Sequence, residues 1–350
     1  MAVLFLRKLY LKAVGVKNYI LILFSILFVI CSGFFIYFIE PERFGTPFNG
    51  IWYVMTTVTT VGYGDLFPET VKGKLFGMFL FIFGVGLIGV VIGKVVDKFA
   101  SLERKREEGR LNYTGQNHVI IIGWSKKSEM AVDEILSYSH PPDIVVIDQL
   151  ERLPLQNEKV FYVNGDPTSS ETLHQANLHA ARAAIVFADD RITDTSLIDG
   201  KSLLIVSTIE KTAPNVYTTV EIMLEKHITN FSHVQVNDFI LSNETISRLA
   251  VRSALSVAMN NIFSQLLSRR HGDDMYEIKR QSQWKTYGDA FHDLIRQGAT
   301  LIADRDNLGI NRMLEQAIPA DAVLYVICDE ATYAKLLHAA VGVSKKGAGV

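Results

Sequence analysis

The residues with the most specific chemistry sit in one loop, Thr59-Thr60-Val61-Gly62-Tyr63-Gly64-Asp65. A column of backbone carbonyls can replace the hydration shell of a dehydrated monovalent cation when several copies of a loop surround one axis. A β-strand alternates sides from residue to residue, so the carbonyls of such a loop need a different backbone. Gly62 and Gly64 permit it, because glycine takes positive φ at little steric cost. The expected metal contacts are carbonyl oxygens of Thr60, Val61, Gly62 and Tyr63, with the Thr60 hydroxyls forming a further ring. Tyr63 points away from the axis and braces the loop, which Thr59 and Asp65 flank. The competing assignment, a glycine-rich turn after an apolar helix, does not account for these flanks.

Such a loop needs elements that hold it at membrane depth. Residues 19–39 are apolar apart from Ser25 and Ser32, close to the ~20 residues that cross a ~30 Å hydrocarbon layer. A second apolar stretch within residues 72–98 ends at Asp97-Lys98. Between them, Thr46 can cap and Pro47 can open a helix over residues 47–58 that is too short to span. Backbone of that kind survives at membrane depth only when buried in protein or lining water. Its C-terminal end runs into residues 59–65 and directs a partial negative charge there, which favours a dehydrated cation. The outer flanks are basic: Arg7, Lys8, Lys12 and Lys17 on one side, Lys94, Lys98, Arg104, Lys105 and Arg106 on the other. The positive-inside rule places both termini in the cytoplasm, in a cell inner (plasma) membrane, with the loop outside. Residues 1–18 read as an interfacial amphipathic segment in contact with membrane lipid. They do not read as a secretory signal, since the next apolar run is too long and no small-residue cleavage site follows.

Mean hydropathy is +0.19 although 21% of residues are charged, and the excess apolarity lies in the first hundred residues. Net charge is −2, which gives no reason to expect nucleic acid as a partner. Cys31 and Cys328 lie in unlike surroundings and read as free buried thiols. Within the second span, Gly84 is a candidate gate hinge, while Gly89 and Gly93 have the spacing of close helix packing.

From His118 onward the period changes. Short apolar runs at 118–123, 143–148, 160–163, 183–187 and 216–222 alternate with helical stretches, the pattern of a doubly wound parallel sheet. The fold class is therefore an α-helical two-span membrane pore plus an α/β, Rossmann-like domain, with a small α/β lobe at the C-terminal end. The phosphate loop after the first strand keeps only Gly123 of the usual glycines, with Ser125 and Ser128 at the other two places. Asp148 ends the second strand, where a ribose-binding acid belongs. Helix N-terminal amides after Ser125 can receive phosphate, alone or with help from Lys126 and Lys127. His174, His179 and His292 have no partner at ligand spacing.

Trp52, Tyr53 and the Thr-Val-Gly-Tyr-Gly-Asp run resemble the two-helix potassium-channel pore family. That resemblance implies a cuff of Trp52 and Tyr53 around the filter and a homotetramer. Thr56 stands where some members carry a glutamate behind the filter. Residues from about 118 to 235 resemble the regulator-of-potassium-conductance (RCK) domain, through Gly165-Asp166 after the third strand and the spaced Leu173 and Ala176. By that resemblance Asp166 lies beside an adenine, with Gly165 in the same nucleotide site. The ligands it leaves open are an adenine nucleotide or NAD in the RCK domain, a cyclic dinucleotide in the C-terminal lobe, or an ion. It also implies that RCK domains pair, through helices in residues 236–271, into a gating ring. Of the three acids that hold calcium in relatives only Glu221 is present, with Phe187 and Met223 at the other two positions. A site so poor in carboxylates binds a hard cation badly.

The expected organisation is an interfacial segment at 1–18 and a pore domain at 19–98, comprising outer helix 19–39, pore helix 47–58, filter 59–65 and inner helix 72–98. A linker follows at 99–116, then an RCK N-lobe at 117–235, crossover helices at 236–271, a C-terminal lobe at 272–340 and a tail at 341–350. The expected function is a potassium-selective channel subunit gated by a ligand on the RCK ring. A non-selective cation channel is the near alternative. An NAD-dependent oxidoreductase is the remote one, since it leaves the pore unexplained and lacks a proton-donor constellation.

Overall fold

The computed structural model describes residues 18–256, 259–267 and 272–337. Residues 1–17 of the expected interfacial segment and the expected tail at 341–350 lie outside the described residues. The chain divides into two compact units at Glu107/Glu108.

The first unit is helical. Helix α1 (Asn18–Ile39) is followed by a single turn, α2 (Pro41–Phe44), then α3 (Pro47–Val58) and the long α4 (Val71–Glu107). Helices α1 and α4 are long and apolar enough to cross a membrane. Helix α3 starts as its sequence dictates, with Pro47 in the first turn and the Thr46 side chain accepting the Asn49 amide. Ile36, Phe44, Tyr53, Val54, Val58 and Leu80 form the small core that packs these helices together. Helix α4 continues nine residues past the expected end at 98, into the expected linker. The physical reason is plain in Ala100–Glu107, which contains neither glycine nor proline and is rich in helix formers. Gly109, at φ +66°, is the first residue in a left-handed conformation after it.

The second unit carries a six-stranded, all-parallel sheet in the order β3-β2-β1-β4-β5-β6. Its strands are β1 (Val119–Ile122), β2 (Ile144–Asp148), β3 (Val160–Asn164), β4 (Ala183–Val186), β5 (Tyr217–Ile222) and β6 (Asp238–Leu241). Helices α5 (Lys126–Leu136), α6 (Ser170–Gln175) and α7 (Thr195–Thr212) connect them. Strand β2 is buried at every residue, as expected of a strand covered on both faces. Strand order reverses between β1 and β4, so a crevice opens beyond their carboxyl ends. Strand β6 falls inside the range expected to be helical. It is a four-residue edge strand with no residue fully buried, too short to leave a readable pattern. Helices α8 (Ser242–Leu255) and α9 (Met259–Leu266) follow, and neither buries a residue within the protomer. The C-terminal lobe is a three-stranded antiparallel sheet, β7 (Asp274–Lys279), β9 (Val323–Cys328) and β8 (Thr300–Asp304) in spatial order. It packs on α10 (Tyr287–Arg296), which opens with a Thr286/Asp289 capping box.

Candidate functional sites: a carbonyl loop and a switch-point crevice

The loop after α3 alternates in handedness. Thr60, Gly62 and Gly64 have φ of +62°, +55° and +75°, whereas Val61 and Tyr63 are not among the positive-φ residues. Alternating left- and right-handed residues turn successive carbonyls to one side, which a strand cannot do. Thr60 is β-branched and strained in that region, at a cost on the order of 1–3 kcal/mol. The loop is held from behind by the Thr56 carbonyl, which accepts the amides of Val61 at 3.0 Å and Gly62 at 3.1 Å. The Thr56 hydroxyl itself donates to the Tyr53 carbonyl.

Side chains then tie the loop to α3. Trp52 Nε1 donates to Asp65 Oδ2 at 2.9 Å, and the Trp52 and Tyr63 rings stack 5.7 Å apart with 6° between their planes. Tyr53 is buried elsewhere, its ring 5.5 Å from Phe44, so it braces the outer turn. The Thr59 hydroxyl turns back to the Met55 carbonyl at 2.7 Å and closes the end of α3. Gly84 is buried on α4, which passes through it as an unbroken helix. A Cβ at Gly84 would sit 2.3 Å from a Val58 methyl. Gly86, Gly89 and Gly93 have nothing within 4 Å of that position.

One buried acid has a bonding role that the sequence reading did not give it. Glu40, at the end of α1, accepts the amides of Glu69 and Thr70 and the Thr70 hydroxyl, linking the outer helix to the start of α4. Burial raises its carboxyl pKa, but those hydrogen bonds outweigh burial and hold it below the ordinary glutamate value. The Glu40-Pro41 pair at the end of an apolar run was the available signal.

In the second unit the crevice beyond β1 and β4 is lined by Gly123, Asp148, Phe187, Asp189, Arg191 and Lys201, among others. Gly123 turns at φ +89°. Ser125 caps α5 by accepting the Ser128 amide, so one of the helix's N-terminal amides is already satisfied. Asp148 is 3% exposed and accepts the amides of Trp124 at 2.6 Å and Gln149 at 2.5 Å. Gly165 donates its amide to the Asp148 carbonyl at 3.0 Å and packs against Thr172. Asp166 is exposed and closes its own turn, accepting the Thr168 amide and hydroxyl. Of the five nucleotide residues expected, Gly123 and Asp148 line the crevice; Ser125, Gly165 and Asp166 stand outside its lining.

The charged residues that dominate the crevice were missed. Arg191 reaches both Asp148 and Asp189, and Lys201 pairs with Asp189. Burial pushes Asp189 up, but the Arg191 side chain, Lys201 and the Arg191 amide outweigh it and hold Asp189 well below the usual carboxylate range. The run Asp189-Asp190-Arg191 directly after β4 was the signal. Glu221 is buried and salt-bridged to Lys127 at 2.9 Å, and it also accepts the Ala188 amide. Lys127 thus places an ammonium against Glu221, whose carboxylate is already paired. Among the described residues no group of three or more His, Cys, Asp and Glu side chains is arranged to hold a metal. His174 and His179 do meet, with rings 5.1 Å apart.

A two-span unit with a carbonyl loop, joined to a parallel-sheet unit with a switch-point crevice, has the architecture of a cation pore controlled by a second domain. Residues 24–101 match the ion-channel family and residues 119–242 the TrkA-N domain family. The chain is 31% identical over 221 residues to the putative potassium channel protein YugO of Bacillus subtilis, covering 63% of this chain and 67% of that one. It is 26% identical over 234 residues to the calcium-gated potassium channel TvoK of Thermoplasma volcanium, covering 66% and 67%. Among solved structures, the GsuK channel aligns at a TM-score of 0.49 with 17% identity, over 92% of this chain and 58% of that one. The same channel bound to NAD aligns at 0.47 with 16% identity, over 91% and 58%. The chain belongs to the prokaryotic potassium channels that join a two-helix pore to a TrkA-N, or RCK, domain. It is a membrane-embedded potassium channel subunit, and its relatives are channels rather than enzymes.

Proposed function

We propose that four copies surround one axis and that Thr60, Val61, Gly62, Tyr63 and Gly64 of each line a single file for dehydrated potassium. Trp52, Tyr53, Thr59 and Asp65 support that file. The observation that carries this reading is the alternation of φ at Thr60, Gly62 and Gly64, anchored by the Trp52–Asp65 hydrogen bond. The membrane is the cell inner membrane, with both termini in the cytoplasm, an orientation that the distribution of basic residues supports.

The α/β units pair and form a gating ring. Apolar residues of α8 and α9 that stay exposed in the protomer, Ile246, Val251, Leu255 and Ile262, support the pairing. An adenine nucleotide or NAD at the switch-point crevice biases the ring, held by Gly123 and Asp148 within it and reaching beyond its lining toward Ser125, Gly165 and Asp166. The ligand shifts opening only by its difference in affinity for the two ring states. Motion reaches α4, which bends near Gly84. Reversal potentials of the purified channel in liposomes, in mixed potassium and sodium, test the reading. Potassium selectivity is expected; equal sodium permeation, or a monomer in the bilayer, ends it.

A further inference from the structure

Asp148 stands where a ribose hydroxyl would be received, yet its acceptor capacity is full. A carboxylate offers about four lone-pair sites on two oxygens. Oδ1 takes the Gln149 amide at 2.5 Å and Arg191 Nη1 at 2.9 Å. Oδ2 takes the Trp124 amide at 2.6 Å and Arg191 Nη2 at 3.4 Å. Two of these four donors are backbone amides fixed by the β1–α5 and β2–β3 connections. The other two belong to one side chain that is 51% exposed. Any hydroxyl that binds Asp148 must therefore displace Arg191. The crevice has about 20 Å³ of free space, room for one water, so ring and phosphate atoms also need that side chain to move.

Arg191 gives up Asp148 at least cost when another anion receives it. Its guanidinium is spread over two carboxylates, Nε and Nη2 reaching Asp189 at 2.7 Å and 3.1 Å. Asp189 can release it at smaller cost, since it keeps the Lys201 ammonium at 2.6 Å and the Arg191 amide at 3.1 Å. Asp148 likewise keeps its two amides. The member that loses most is the guanidinium, which gives up one of its two carboxylates, and a phosphate is the group that matches its planar fork.

We propose that Arg191 is a displaceable plug that makes the crevice accept a ribose only when the same ligand carries a phosphate. A neutral nucleoside offers Asp148 a hydroxyl but gives Arg191 no anion in place of Asp148; a nucleotide supplies both. The selectivity is thus for phosphorylated over unphosphorylated ribosides. The plug also crosses the sheet: Arg191 holds the β4–α7 connection to the end of β2, and neighbouring Asp190 is salt-bridged to Lys127 of α5 at 2.9 Å. Displacement of Arg191 frees one of those two ties.

This inference rests on the nucleotide reading of the crevice, and its test separates the two. Binding of ADP and of adenosine is measured by titration calorimetry on the full-length channel in nanodiscs, at fixed ionic strength. For wild type, ADP binds and adenosine binds at least about tenfold more weakly. In Arg191→Ala, adenosine binding strengthens while ADP binding weakens, so their ratio falls about tenfold or more. Arg191→Lys, which keeps a cation but cannot span two carboxylates, moves the ratio the same way by less and serves if the alanine variant does not fold. An unchanged ratio in both variants, or equal weakening of both ligands, overturns the plug. Failure of wild type to bind either ADP or NAD overturns the nucleotide reading itself, and the plug with it.

Discussion

The carbonyl loop at residues 59–65 and the crevice at the ends of β1 and β4 handle charge in opposite ways. The loop presents main-chain oxygens, and side chains only hold its shape. In the crevice the main chain holds Asp148 by two amides, and the working groups are the side chains of Asp148, Asp189, Arg191 and Lys201. A backbone site has to be rigid, because its selectivity is a matter of where oxygens lie. A side-chain site can be exchangeable, because an ion pair can be broken and remade by an arriving anion.

That contrast explains how much could be read from the sequence. The loop's requirements are local: two glycines at fixed spacing, and a Trp52–Asp65 bond that joins residues only 13 apart. The crevice joins Asp148 to Arg191 across 43 residues, and the same sheet end joins Lys127 to Glu221 across 94. No pattern of spacing reveals such pairs; only the parallel sheet brings them together. Sheet membership itself was legible for β1 to β5, whose apolar runs are bounded by polar turns. It was not legible for β6, where four residues at an edge leave no period. The nine extra residues of α4 were written in composition but hidden by charge, since a polar helix and a linker look alike.

The sharpest way to break the contrast is through the glycines of the loop. Gly62→Ala forces a side chain onto φ +55°, which costs about 1–2 kcal/mol in every copy that lines the proposed axis. Potassium flux into liposomes should fall at least about tenfold, with the protein still assembled. Normal flux and selectivity in Gly62→Ala would show that the carbonyl column does not depend on left-handed backbone.

A smaller effect is expected on α4, where hinge and packing roles can be told apart. Gly73, Gly77 and Gly84 lie four and seven residues apart, on one stripe of the helix, and each faces a close neighbour. Those neighbours are Glu40, Tyr53 and Val58. Gly86, Gly89 and Gly93 lie on a different stripe with open space beside them. Gly84→Ala alone should destabilise the pore by about 1–3 kcal/mol through overpacking against Val58. In Gly84→Ala/Val58→Ala the added methyl has room. If Gly84 is a hinge, single-channel open probability stays low in the double variant while thermal stability recovers. If both recover together, Gly84 serves close packing alone.

The smallest effect should be a dependence on pH that the crevice has and the loop lacks. Asp189 is held below the ordinary carboxylate range in the folded chain, despite burial, by Arg191 and Lys201. A depressed folded value means that its contribution is complete above the unfolded value, near 3.9. The contribution then shrinks as pH falls from there through the folded value. Asp189→Asn removes charge-assisted hydrogen bonds worth about 1.5–3 kcal/mol, so its melting temperature should lie a few degrees below wild type. That gap should hold constant between about pH 5 and 8 and narrow below about pH 4. Over the same neutral range the potassium reversal potential should not move, because carbonyl oxygens do not titrate. A gap that stays constant into strong acid would mean that Arg191 and Lys201 do not keep Asp189 ionised. The crevice would then lack the ion pair that an arriving phosphate is meant to take over.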